Sequence, residues 1–135
     1  AVDNFLKSIQ GLEDLKKKVI PHVARRGWFK GLDGRKVKVP SEHKTLAGML
    51  QNGEAVIMKH AALQWVKQAR EKEIDFKLVT WPHDEWQTEV CGTYATAEEL
   101  GTLQRQSIVD IGVKFRMNCP LAGSTEIGKN WRDTH

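Results

Sequence analysis

Residues 76–91 have the sequence FKLVTWPHDEWQTEVC, in which two runs rich in β-branched and aromatic residues flank a short polar group. The polar group is too short for a helix, so the pattern predicts a β-hairpin with Asp84 at its tip. A rigid hairpin of this kind can hold an ionised carboxylate where a magnesium ion and a phosphate reach it. Taken alone, His83, Asp84 and Glu85 also have the composition of an ordinary solvated turn.

The rest of the chain contains further helix and strand signals. Asp33 and Gly34 predict a tight turn in a small hairpin over residues 28–39. Alternating apolar residues over 113–119 predict a half-buried strand beside the 76–91 hairpin. Apolar spacings of three and four predict three helices, one from near Asp3 to Pro21, one from Ser41 or Thr45 to about Lys72, and one from a capping box at Thr96 to Gly112. The order predicts an α+β fold, an antiparallel sheet with helices packed on one face, as a single domain over residues 1–135.

The positive charge of the chain is concentrated in one segment. The formal net charge is +4, but residues 16–44 hold ten Lys or Arg against two acids, a net of +8. The remainder holds eleven against fifteen, a net of −4. The basic residues alternate with Trp28 and Phe29, a composition suited to a phosphate backbone. A solvated surface is the other interpretation.

Several protein classes are disfavoured by what the sequence lacks. The longest apolar run is far short of the ~20 residues that cross a bilayer, and no signal peptide pattern is present. We therefore expect a soluble, cytoplasmic protein. Cys91 and Cys119 have no spacing typical of a zinc site or a disulfide framework, so we expect small buried residues within strands.

Four landmarks occur in one order along the chain: GWFKGLDGRKV at 27–37, the tract around Gln51, the His83-Asp84-Glu85 turn, and GKNWRDTH at 128–135. This combination resembles the C-terminal palm region of family A DNA polymerases, the bacterial DNA polymerase I group, and in particular the replicative polymerases of T-odd podoviral phages. The resemblance covers residues from about Phe5 to His135. It implies a partial polymerase palm subdomain.

The resemblance also implies roles in a two-metal site. Nucleotidyl transfer uses two metal ions roughly 4 Å apart, bridged by two aspartates. Asp84 matches one of them and would be a magnesium ligand, Glu85 would tune the site, and His83 would contact the last phosphate of the primer. The family's other catalytic Asp, and its fingers helix that grips the incoming deoxynucleoside triphosphate, match nothing before residue 76. The chain therefore resembles the last part of a polymerase, completed by an upstream segment or subunit.

Contacts to the primer-template DNA are implied at several further positions. Gln51 would reach the minor groove, and His43 would lie on the same DNA-facing side. Arg35, Lys36 and Lys38 are candidate backbone contacts, each adding about 0.9 to the salt slope of binding.

Some positions depart from the family pattern. Pro82 replaces an aliphatic residue, Ala47 replaces an Asn, and Trp81 and Trp86 are bulkier than usual. Trp131 is expected to anchor the tail in the core.

Two other functions remain open at this point. A single carboxylate gains only about 1 kcal/mol from a solvated ion in water, so we expect the isolated chain neither to bind magnesium tightly nor to polymerise. One alternative is a non-catalytic nucleic-acid-binding module or polymerase remnant. The other is a metal-assisted hydrolase using His83 and Asp84, for which the sequence offers no second cluster of ligands.

Overall fold

The computed structural model describes residues 2–134, with side-chain surroundings from Asn4 onward. The chain forms two compact units, Ala1–Glu54 and Ala55–His135. Helices are combined with two separate two-stranded antiparallel sheets, so the predicted α+β class is confirmed. The sheets are not joined into the single sheet that the sequence predicted.

The first unit begins with a broken helical region rather than one continuous helix. Helices α1 (Val2–Ser8) and α2 (Leu12–Asp14) are separated at Gly11, whose φ of 82° lies in the left-handed region. A π-helical turn, Leu15–Val19, then leads into α3 (Ile20–Arg26). Pro21 was predicted to end the helix, which is wrong. The proline lies in the first turn after the π segment, where its missing N–H and its ring are tolerated.

The basic hairpin forms as predicted, with strands β1 (Trp28–Lys30) and β2 (Lys36–Lys38). The turn is closed by hydrogen bonds from Gly31 N–H to the Arg35 carbonyl (2.8 Å) and from Gly34 N–H to the Gly31 carbonyl (2.9 Å). Gly34 has a φ of 85°, which the Asp-Gly sequence permits. The hairpin is thus fixed by local turn chemistry.

Helix α4 (Glu42–Glu71) agrees closely with its predicted bounds. Buried Thr45 donates through Oγ1 to the Ser41 carbonyl at 3.1 Å. From residue 55 onward the helix supplies most of the core of the second unit, including the completely buried Trp65.

The second unit packs a hairpin and one long helix against that part of α4. Strands β3 (Phe76–Thr80) and β4 (Gln87–Val90) pair antiparallel, and α5 (Tyr94–Lys114) follows. The capping box of α5 uses Thr93 and Thr96, three residues earlier than predicted. The core consists of two clusters, Ala62, Trp65, Ala69, Ile74 and Leu100, and Ile57, Ala61 and Ile111.

The predicted strand over 113–119 is wrong. Helix α5 continues to Lys114, and a turn follows in which Arg116 has a φ of 53°. Phe115 and Met117 pack against the Ile111 cluster from irregular backbone, so burial at alternate positions arises without any strand pairing.

The cysteine and Trp131 expectations are also wrong. Cys91 follows β4 and Cys119 lies in irregular backbone, and both are exposed. Trp131 begins a short 3₁₀ helix (Trp131–Thr134) and is 56% exposed, so it is not a core anchor.

The tail packs along α5 at two helix glycines. A Cβ on Gly101 would lie 2.4 Å from Thr125 Cγ2, and one on Gly112 would lie 2.9 Å from Leu121 Cγ. Thr125 also donates to the Gly101 carbonyl at 3.3 Å. Because these two glycines lack side chains, Thr125 and Leu121 of the tail can lie directly against the backbone of α5. Among the helices in residues 2–134, none combines the length and apolar character that a membrane crossing requires.

Candidate functional site

Asp84 lies at the tip of the β3–β4 hairpin, as predicted, and its side chain is exposed. The turn is closed by a 3.0 Å hydrogen bond from Glu85 N–H to the Pro82 carbonyl. His83 adopts a φ of 49°, a left-handed conformation that costs a non-glycine residue about 1–3 kcal/mol. Trp81 Nε1 donates to the His83 carbonyl at 3.1 Å and so helps hold this conformation. Two hydrogen bonds therefore define the conformation of the turn.

A β-bulge adjoins the turn. Leu78 pairs with Thr88 and Thr80 pairs with Gln87, which leaves Val79 as an extra residue in β3. Bulges bend a strand and redirect the side chains next to them, and they are common beside functional sites. Here the bulge sets the direction in which the strand enters the turn.

Aromatic rings support the base of the hairpin. The ring of Trp65 in α4 lies 5.1 Å from Phe76 and 5.7 Å from Trp86, and Trp81 meets Trp86 edge-on at 5.9 Å. Pairs at these distances add about 0.5–1.5 kcal/mol each beyond the burial of their area. The two tryptophans that flank the turn are therefore supporting residues, which explains their bulk.

A cleft of about 1540 Å³ adjoins this hairpin within the second unit. Its walls include Asp84 and Glu85 from the turn, Gln104 and Arg105 from α5, and residues 122–131, 133 and 134 of the tail. Gln104 Nε2 and Trp86 Nε1 are buried and have no hydrogen-bond partner among the residues that the structure describes. The cleft is thus lined by charged groups, whereas the two unpaired donors are buried behind its wall.

The donor set at the turn fits part of a magnesium site. Magnesium prefers oxygen ligands and keeps several waters, taking one or two carboxylates from the protein. Asp84 supplies an exposed carboxylate of this kind. Within residues 2–134, however, no group of three or more His, Cys, Asp or Glu is close enough together to hold a metal ion.

The predicted DNA-contacting residues lie in the first unit. His43 and Gln51 are exposed on α4. Lys36 and Lys38 are exposed on β2, and Arg35 precedes them in the turn. The structure therefore brings His83, Asp84 and Glu85 together in one turn and the three basic residues together on one hairpin.

Arg35 is partly committed to an internal partner. Its Nε pairs with Asp33 Oδ2, and its backbone N–H donates to Asp33 Oδ1 at 3.2 Å. Burial acts to raise the pKa of Asp33, but the hydrogen bonds and the charge of Arg35 outweigh it and hold that pKa below its ordinary value. Arg35 is therefore a weaker candidate for a phosphate than its neighbours.

Sequence reasoning missed Arg26, whose guanidinium carbon lies 4.0 Å from the ring centre of Trp28. Lys36 Nζ lies 4.5 Å from the same centre. The hairpin register could have identified the second contact, because Trp28 is opposite Lys38 and hence diagonal to Lys36. The contact between Arg26 and Trp28 depends on the left-handed conformation of Gly27, which the sequence does not specify.

Comparison with known proteins identifies relatives of one kind. No protein-family model matches the chain. The DNA-directed DNA polymerases of Enterobacteria phage T3 and Escherichia phage T7 are each 32% identical to it over 117 residues, covering 82% of this chain. The chain is a relative of phage DNA polymerases. The DNA-directed DNA polymerase of Escherichia phage Phieco32 is 31% identical over 119 residues.

The resemblance to phage DNA polymerases is therefore confirmed. The chain spans only 16% of the T3 and T7 polymerases and 19% of the Phieco32 polymerase. All three relatives are named DNA-directed DNA polymerase.

The fold agrees with this relationship. A solved structure, the POL domain of Pol1 from M. smegmatis in complex with DNA primer-template and dNTP, matches with a TM-score of 0.83. The match covers 98% of this chain and 25% of that chain at 19% identity. The chain thus shares the fold of part of a DNA polymerase domain.

Proposed function

We propose that this chain is the C-terminal palm part of a DNA-directed DNA polymerase, supplying one metal-binding aspartate and part of the primer-template surface. The observation that carries the proposal is the exposed Asp84 at the tip of a braced hairpin, in a chain 32% identical to phage DNA polymerases. On this proposal the chain acts in DNA replication, in the host cytoplasm if it is encoded by a phage.

Magnesium is the metal we propose for Asp84. Bound there, it would act as a Lewis acid that stabilises charge developing on the phosphate oxygens. Asp84 would hold the ion, and Glu85, beside it in the turn, would tune the site. A shared ion needs further ligands, and we propose that an aspartate from an upstream segment supplies them.

The chain's other residues would position DNA. His83 would donate from its imidazole to the last phosphate of the primer, with its backbone held by Trp81. Gln51 would contact base edges in the minor groove, where donors and acceptors are largely shared among base pairs. His43, Arg35, Lys36 and Lys38 would contact the DNA backbone.

The cleft beside the turn supports the proposal that an upstream polymerase segment completes the site. It adjoins Asp84 and Glu85, and its volume of about 1540 Å³ leaves room for further polypeptide beside the turn. In the complete enzyme, that segment would also bind the deoxynucleoside triphosphate.

A chimera tests the function. The chain would replace the matching segment of the phage T7 DNA polymerase, and primer extension would be measured with magnesium. We expect extension by the chimera and none by the 135-residue chain alone. Asp84→Asn should lower the rate at least ~10³-fold, because several kcal/mol of charge stabilisation are lost.

Asp75→Asn is the matched control, since Asp75 is also exposed and lies just before β3. It should leave the rate within about twofold of the parent. An active chimera that tolerates Asp84→Asn would refute the catalytic role. A folded chimera that binds DNA but cannot extend a primer would favour the alternative, a non-catalytic nucleic-acid-binding module.

A further inference from the structure

One face of the β1–β2 hairpin carries only cationic side chains and one indole. Side chains alternate along a strand, so Trp28 and Lys30 share a face with their cross-strand partners Lys38 and Lys36. The three lysines are exposed. Phe29 is on the opposite face and is 5% exposed, so it anchors the hairpin while the cationic side faces solvent.

Trp28 organises two of these charges. Arg26 and Lys36 both lie within 4.5 Å of its ring centre, well inside the range of cation–π attraction. Arg26 Nε also donates to the Trp28 carbonyl at 2.9 Å, which fixes the guanidinium at that end of the strand. Its terminal nitrogens remain available as donors. We refer to Arg26, Trp28, Lys30, Lys36 and Lys38 as the cationic face.

The cationic face lacks internal charge compensation. Lys30 and Lys36 are directly opposite each other, an arrangement that destabilises a hairpin. Among the side chains described from Asn4 to Thr134, no carboxylate forms an ion pair with any of its four cations. Asp33, the acid in the turn, pairs with Arg35.

Some lysines elsewhere in the described chain do have carboxylate partners. Five of them each contact a carboxylate, namely Lys17, Lys18, Lys67, Lys72 and Lys77. What distinguishes the cationic face is that, within the described side chains, it brings four cations without a carboxylate partner together on one hairpin.

We propose that the cationic face binds the sugar-phosphate backbone of DNA, with Trp28 as the positioning residue that holds Arg26 and Lys36. Charges spread along two strands suit a repeating polyanion better than a single phosphate ion. The proposal rests on the proposed function for the presence of DNA, and it adds Arg26, Lys30 and Trp28 to the contacts. It also ranks Arg35 below them, because Arg35 shares its charge with Asp33.

Binding of the 135-residue chain to a labelled non-specific DNA duplex tests this proposal. Fluorescence anisotropy would be measured over a series of salt concentrations without magnesium. Lys36→Gln should lower the slope of log affinity against log salt by about 0.9, the value of one phosphate contact. Lys67→Gln removes the same charge from an exposed lysine of α4 and should leave the slope unchanged.

The role of Trp28 needs variants that keep every charge. Trp28→Leu should weaken binding about fivefold, because Arg26 and Lys36 lose the ring that holds them. Trp28→Phe retains an aromatic face and should recover part of that loss. Circular dichroism separates this from a merely structural role, which predicts that DNA affinity falls only where the folded fraction of the variant falls.

Two results would overturn the proposal. Equal slopes for Lys36→Gln and Lys67→Gln would show that the cationic face does not engage phosphates. Equal affinities for Trp28→Leu and the parent chain would show that Trp28 positions nothing. The duplex assay contains no magnesium and measures no nucleotide incorporation, so failure of the polymerase proposal in primer extension is distinguishable from failure here.

Discussion

Replacing Trp65 should test whether a buried aromatic support holds the hairpin that carries Asp84. Trp65 is completely buried, and its ring contacts those of Phe76 and Trp86. Truncating a buried tryptophan to alanine costs about 3–5 kcal/mol of unfolding free energy. Its Nε1 is buried without a partner, however, and removing that donor recovers about 1 kcal/mol or more. We therefore expect a net loss of about 3 kcal/mol for Trp65→Ala.

Trp65→Phe separates these contributions. It keeps an aromatic ring against both neighbours, removes the unpaired donor, and leaves a small cavity. The stability gained by removing the unpaired donor and the stability lost to the cavity are of similar size. The free energy of unfolding should therefore stay within about 1 kcal/mol of the parent. Leu63→Ala is the control, because Leu63 lies in the same helix but is 72% exposed, and it should change stability by less than about 0.5 kcal/mol.

Urea unfolding followed by far-ultraviolet circular dichroism would give these free energies. Hydrogen exchange would show where protection is lost, and we expect Trp65→Ala to raise exchange at the paired amides of β3 and β4. A Trp65→Phe variant as destabilised as Trp65→Ala would refute the reasoning, because the ring contacts and the unpaired donor would then not govern the stability of this cluster.

Two further predictions concern glutamines and one acidic group. Gln104→Met should raise the free energy of unfolding by about 1 kcal/mol, because it removes a buried unpaired amide N–H. Gln64→Met should lower it by about 1–2 kcal/mol, because Gln64 donates to the Asp110 carboxylate at 2.6 Å. Urea unfolding that gave the same sign for both variants would contradict this. Arg35→Gln should raise the pKa of Asp33, measured by carboxyl NMR, and an unchanged pKa would show that Arg35 is not its cause. Because the folded-state pKa of Asp33 is below the unfolded value, its contribution to stability is present above that value, near 3.8, and is lost as the pH falls through the folded pKa.

Elements with strong local signals were predicted from the sequence. Asp33 and Gly34 specify one hairpin, the β-branched runs around Asp84 specify the other, and the long apolar periodicity specifies α4. In each case neighbouring residues along the chain supply the information. The position of Asp84 at an exposed tip followed from the same reasoning.

Elements decided by tertiary packing were not predicted. Phe115 and Met117 alternate with polar residues, yet they are partly buried by contact with the Ile111 cluster and not by a neighbouring strand. Pairing requires a partner strand at the right place, which periodicity alone cannot reveal. The exposure of Cys91 and Trp131 likewise depends on which surfaces come together.

The candidate site was predicted only in part for a similar reason. The turn and the basic hairpin are each formed by residues that are neighbours in the sequence. The aromatic support instead depends on Trp65 of α4, which is ten or more residues from Phe76 and Trp86 in the sequence. The stacking of Arg26 on Trp28 depends on a turn between a helix and a strand. The remaining metal ligands belong, on our proposal, to a different segment altogether.

The π turn at Leu15–Val19 makes two features of the sequence interdependent. Its wider ring, closed by Ile20 N–H on the Leu15 carbonyl, accommodates one more residue than an α-helical turn. Deleting one of Lys16, Lys17 or Lys18 would convert the π turn to an α-helical turn. Pro21 would then lie in the interior of a continuous α-helix, where its ring and its missing N–H are unfavourable. We expect such a deletion to be tolerated only together with replacement of Pro21, so insertions and deletions among related sequences should track the presence of this proline.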